Sequence, residues 1–242
     1  MFARPALFAS VLVALALRLG ADEPDYAIPY DSLTEAQAAL VHDVADRASL
    51  STEFAREEVA SSVTTYDYLL DRLPLTARIV RALDLGKYVI KPIEEEECVV
   101  LDDREGVKVS LYEVYRGAEK RVYYTKGYYQ GPLLPRIHGR GVIVLCYRQE
   151  GKAIATSAKL YFRLDSGVAR AMTKILYPMV LDVAKDKSAV FIVAAKDVSE
   201  RVSRDPEGFL DALKETGRFT DAEMSEYKRQ ILAETSANAQ GR

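Results

Sequence analysis

The residues best equipped for chemistry sit in one stretch, "YYTKGYYQGPLLPRIHGRG", residues 123–141. It holds four tyrosines, four glycines, two prolines and His138, one of only two histidines in the chain. Strand alternation puts Tyr124 and Tyr128 on one side and Tyr123 and Tyr129 on the other. Tyrosine suits a cavity wall, because its ring is apolar and its hydroxyl can hold a polar head group. It is also a common filler of half-exposed strands. Arg136, His138 and Arg140 alternate along the entry to the next strand, so their side chains point one way. Facing a cavity mouth, they would bind a carboxylate or phosphate. Facing water, they are ordinary surface charges. Tyr124, Tyr128, Arg136, His138 and Arg140 are the candidate ligand-binding residues. Arg163 and Asp165 share the same spacing of two and are expected to form an ion pair.

Other chemistry finds little footing. There is no Gly-x-Ser-x-Gly elbow, so a serine hydrolase is not indicated. His-Glu-x-x-His, Cys-x-x-Cys and the Walker loop are missing, and two separate histidines make a poor zinc set. No catalytic residue, metal ligand or cofactor is assigned. Glu94 to Glu97 reads as a solvated turn or strand edge, with a cation site as the alternative. Cys98 and Cys146 are the two cysteines. They either pair in an oxidising compartment or serve as two small buried hydrophobes.

The chain opens with Arg4, an apolar run from Leu7 to Leu17, and then Gly20 and Ala21, the layout of a secretory signal peptide over residues 1–21. The alternative is an uncleaved anchor, although the run is short for a span. The expectation is an exported protein, periplasmic in a bacterium or secreted, with no transmembrane span once the signal is removed. Loss of residues 1–21 removes Arg4 and Arg18 and no acid, taking the net charge from −3 to −5. A mildly acidic chain argues against nucleic acid as a partner. At 49% hydrophobic and 29% charged, the composition is that of a globular protein.

The elements that must position these residues follow from periodicity. Ser32-Leu33-Thr34-Glu35 reads as a capping box opening a helix over 32–48. Residues 52–72 carry a helical pattern, yet "VASSVTTY" (59–66) is rich in β-branched residues and reads equally as a strand. A short helix follows Pro74. From Lys87 to Leu164 the text is about six strands in an antiparallel meander. "GVIVLCYR" is apolar throughout and reads as a strand buried on both faces. Residues 166–184 then carry an apolar stripe about five turns long, kinked at Pro178. Further helical text follows at Val190 to Val198, and Asp205-Pro206 and Thr220 to Glu223 open two more helices.

This order, with "KYVI" to "YFRL" as the meander and Ser166 onward as the covering helix, resembles the helix-grip fold of the START-related (SRPBCC) superfamily. The fold class is thus α+β: an antiparallel meander gripping a long C-terminal helix, with extra helices at both ends. The domain limits are 22–58 for the lead-in and first helix, 59–200 for the helix-grip unit, and 201–242 for the C-terminal helices and tail. The resemblance implies a cavity between helix and sheet. Members mostly bind lipids, sterols, polyketides or other apolar molecules, and a minority catalyse cyclisation, hydrolysis or hydroxylation there. The expected function is non-enzymatic binding of a lipid or another apolar or amphipathic small molecule. The alternatives are an enzyme using the same cavity, with His138 as acid-base, and an interaction protein with a filled core.

Overall fold

The computed structural model describes residues 23–93, 98–102, 106–130, 136–165 and 190–229. A short 3-10 turn at Tyr30–Ser32 precedes α1 (Glu35–Ala45). Strand β1 (Leu50–Val59) leads into α2 (Val63–Asp71) and α3 (Leu73–Ala82). Six strands follow: β2 (Val89–Ile93), β3 (Cys98–Asp102), β4 (Val107–Arg116), β5 (Lys120–Tyr129), β6 (Ile137–Glu150) and β7 (Ala153–Leu164). Helices α4 (Val190–Arg204) and α5 (Pro206–Glu215) come next, and then a helix over 221–229. The apolar stripe of 166–184 lies outside the described residues.

The strands form one sheet in the order β1-β7-β6-β5-β4-β3-β2, antiparallel throughout. The meander is β2 to β7, and β1 closes against its last strand. The fold is α+β, as the periodicity predicts. Helices α2 to α5 pack on one face of the sheet, called inner here, where Tyr66, Leu70, Ile79, Val198 and Leu213 join Ile143, Leu145 and Leu160 in one core. The outer face carries a smaller core, in which Val41 and Val44 of α1 meet Val122, Tyr124, Val142 and Val144. Strand β6 therefore buries alternate residues on both sides, which accounts for its unbroken apolar text.

The helical reading of 52–72 is corrected in its first half, and the strand is not at 59–66. Strand β1 runs from Leu50 to Val59, and Ser62 caps α2 by accepting a hydrogen bond from the Thr65 amide at 3.2 Å. A bulge between Phe54 and Glu57 explains the misreading. Phe54 and Val59 are an odd number of residues apart, so a regular strand would put them on opposite faces. The bulge returns both to the inner core, and the period of two is lost from the text. A smaller detail also shifts. The capping box of α1 is Thr34 with Gln37, not Ser32 with Glu35. After α3 the backbone turns through a left-handed position at Asp84, at φ 54°.

Of the two alternatives left open for Cys98 and Cys146, the strand order speaks against the disulfide. Cys146 is a free thiol. Strands β3 and β6 are separated by β4 and β5. That is three strand spacings, roughly 14 Å, where a disulfide needs Cα atoms within about 7 Å.

Candidate functional site: the two faces of strands β4 to β7

Cross-strand register fixes which side chains share a side. On the outer face, Lys108 of β4 stands opposite Tyr128 of β5, and Tyr128 opposite His138 of β6. One step along, Ser110, Lys126, Arg140 and Arg163 form a row across four strands. The next row is Tyr112, Tyr124, Val142 and Tyr161. All five residues singled out in the sequence thus lie on or beside the outer face, away from α2 to α5. Tyr124, Tyr128, His138 and Arg140 line a single open groove of about 420 Å³ together with Lys108 and Lys126. Arg136 lies just beyond it, its guanidinium stacked 4.4 Å from the centre of the Tyr128 ring and bonded to Gln130.

The electrostatics of the groove are set by two carboxylates. Arg140 donates to Asp165 at 2.7 Å and to Asp43 of α1 at 2.5 Å. Arg163 pairs with Asp43 as well, so the expected Arg163–Asp165 pair is replaced by two others. The reason is the register: Arg140 stands directly opposite Arg163 and takes Asp165, while α1 offers Asp43 to both arginines. Hydrogen bonding to Arg163 holds the Asp43 carboxyl below its ordinary range. Burial raises the pKa of the Tyr124 hydroxyl, against the pull of Arg140 and Lys126. Lys126 lies 5.0 Å from the Tyr112 ring centre. His138 is exposed, with the Tyr128 ring 5.7 Å away. Charge-assisted recognition is what such a set offers.

The inner face of the same strands is different in kind. Val109, Leu111, Thr125, Gly127, Gly139, Gly141, Leu160, Phe162 and Leu164 point that way, and none is charged. Gly127 and Gly139 are cross-strand partners. A Cβ on Gly139 would come within 2.5 Å of the Phe162 ring, so the glycine leaves room for that ring. A Cβ on Gly127 would meet the Lys108 carbonyl oxygen at 2.3 Å. A Cβ on Gly141 would meet the Thr125 hydroxyl at 2.6 Å, so both glycines flanking Arg140 sit at close contacts.

One polar cluster escaped the sequence reading. Arg121 of β5 is buried under α2, where it meets Asp67 at 2.6 Å, Asp71 at 2.7 Å and Glu113 at 3.1 Å. Tyr147 accepts from its Nε at 3.0 Å and donates to Asp67 at 2.6 Å. No local signal marks it, because its partners on α2 are about fifty residues distant in sequence. Among the described residues no group of three His, Cys, Asp or Glu is placed to hold a metal ion, and no helix is long and apolar enough to cross a membrane.

No protein-family model matches the chain, and no curated protein matches it. Solved structures similar to it include a conserved protein from Geobacillus kaustophilus, 12% identical, with a TM-score of 0.48 over 63% of this chain and 96% of that one. Norcoclaurine synthase from Thalictrum flavum is 12% identical, with a TM-score of 0.40 over 62% and 93%. Ara h 8.0201 is 13% identical, with a TM-score of 0.42 over 62% and 98%. The strand order, rather than these distant likenesses, defines the architecture.

Proposed function

We propose that the protein is an exported, non-enzymatic binder of a lipid or another apolar or amphipathic small molecule, held on the inner face of the sheet. The observation that carries this reading is the contrast between the two faces of β4 to β7. In the half of these strands around the Lys126–Arg140 pair, the outer face bears Lys108, Lys126, His138, Arg140 and Arg163, while the inner face presents apolar side chains, Thr125, Tyr129 and glycines, the charged Arg121–Glu113 cluster lying at the other end of β5 and β4. A sheet surface so free of charge must be covered by apolar atoms. The strand, two helices, six-strand meander and C-terminal helix follow the order that the START-related resemblance implies, and there the cover is a helix with a ligand beneath it. The test is uptake of a fluorescent fatty acid by the purified protein. Saturable uptake that falls at least roughly tenfold in Phe162→Asp supports the reading. Absence of saturable uptake, or uptake indifferent to Phe162, counts against it.

A further inference from the structure

The helix over 221–229 docks on the helical layer through one buried aromatic side chain. Tyr227, 2% exposed, enters the point where Tyr68 and Leu69 of α2, Ile79 of α3, Val202 of α4 and Phe209 of α5 converge. Its ring meets the Tyr68 ring edge-on at 6.5 Å and the Phe219 ring at 6.0 Å. Two ion pairs flank it, Arg78–Glu223 at 2.5 Å and Arg72–Glu226 at 2.7 Å. Both arginines also lie over rings, Arg72 over Tyr68 at 4.3 Å and Arg78 over Phe219 at 4.9 Å. Packing and charge thus account for the docking without either phenol hydroxyl. Yet the hydroxyls of Tyr68 and Tyr227 are both buried, and neither bonds to another group among the described residues. A buried hydroxyl without a partner destabilises a fold, and phenylalanine would fill the same ring positions without that cost. The same side chains, with Thr65, enclose a cavity of about 10 Å³, the room one water molecule requires and little more.

We infer that this cavity is a binding site for a single water molecule, which bridges the hydroxyls of Tyr68 and Tyr227 and so joins the C-terminal helix to α2. Burial raises the pKa of both phenols, so each keeps its proton and can both donate and accept. A buried water is held by about two to four polar partners, and the two hydroxyls supply the minimum from two different elements. The bridge satisfies both groups at once, which gives a tyrosine at each position an advantage over phenylalanine. The site lies among the helices rather than on the inner face of the sheet, so it can fail without the proposed function.

The experiment is a double-mutant cycle on the full chain, with Tyr68→Phe, Tyr227→Phe and the two together, read by urea unfolding, alongside a high-resolution crystal structure of the parent. Each substitution keeps the ring, so the ion pairs and aromatic contacts remain and the variants fold. A shared water predicts that each single variant lowers the folding constant at least roughly threefold. The pair should lose less than the product of the two factors, because either substitution breaks the same bridge. The crystal structure should show one solvent peak within roughly 2.7–3.0 Å of both phenol oxygens. Hydroxyls without a bridge predict the opposite sign, with both phenylalanine variants more stable than the parent. That sign, independent losses in the cycle, or a solvent peak missing or bonded to one hydroxyl alone overturns the inference.

Discussion

The guanidinium of Arg121 sits 2.6 Å from the carboxylate of Asp67, with 2% of the arginine side chain exposed. This pair fastens α2 to the sheet. Asp71, one turn further along α2, and Glu113 of β4 reach the same guanidinium, and Tyr147 closes the circuit from β6. Arg116 pairs with Asp71 and Glu113 from the rim. Removing the central charge leaves three carboxylates facing one another. Arg121→Ala should therefore lose about 3–5 kcal/mol in chemical denaturation, the usual cost of breaking a buried pair from one side. Arg121→Lys should recover only part of this, because an ammonium lacks the planar fork that reaches several acceptors. An Arg121→Ala loss under about 1 kcal/mol would show that the network does not hold α2.

A pH dependence follows from Glu223. Its carboxylate accepts from Arg78 and from the Thr220 amide, capping the 221–229 helix, and these bonds pull its pKa down to about 2. A carboxyl whose folded pKa lies below its unfolded one stabilises the fold above the unfolded value, near 4.5, and loses that contribution as pH falls toward about 2. Glu223→Gln should be less stable than the parent near neutrality, and the gap should close across that acid window. A gap that stays constant down to the acid limit would contradict the assignment.

Cys146 makes a prediction about reactivity. Burial pushes its thiol up to about 11, and its Sγ donates to the Asp25 carbonyl of the N-terminal segment at 3.3 Å. That segment is tied down by Lys120, which holds the Asp25 carboxylate at 2.8 Å. Alkylation at mildly alkaline pH should be slow, because only the thiolate reacts. Lys120→Ala should speed it several-fold by releasing the segment. Peptide mapping without reductant should find no link between Cys98 and Cys146. Such a link, or a thiol as fast as that of a free peptide, would contradict the geometry.

How much of this was legible in the sequence depends on the residue. Strand β7 was readable because Ile154, Ala158, Leu160 and Phe162 alternate cleanly with Lys159, Tyr161 and Arg163. Strand β1 was not, since a single bulge after Phe54 breaks the period that a reader relies on. The grouping of Tyr124 with Tyr128, and of Arg136, His138 and Arg140 with one another, followed from alternation. Which way they point did not. The deciding strand, β6, is apolar on both faces, so Val142 and Ile143 give no polarity by which to tell inner from outer. Arg121 was invisible for another reason: a buried charge is defined by distant partners on other elements.

The central claim, an apolar or amphipathic ligand on the inner face, is tested most directly by native mass spectrometry of the protein purified from its own cells. The account predicts an added mass released on denaturation and identified as a lipid or similar molecule, retained in Lys108→Ala/Lys126→Ala and missing from Phe162→Asp. A bare polypeptide mass in every preparation, with no mass gained on incubation with a fatty acid, would contradict it.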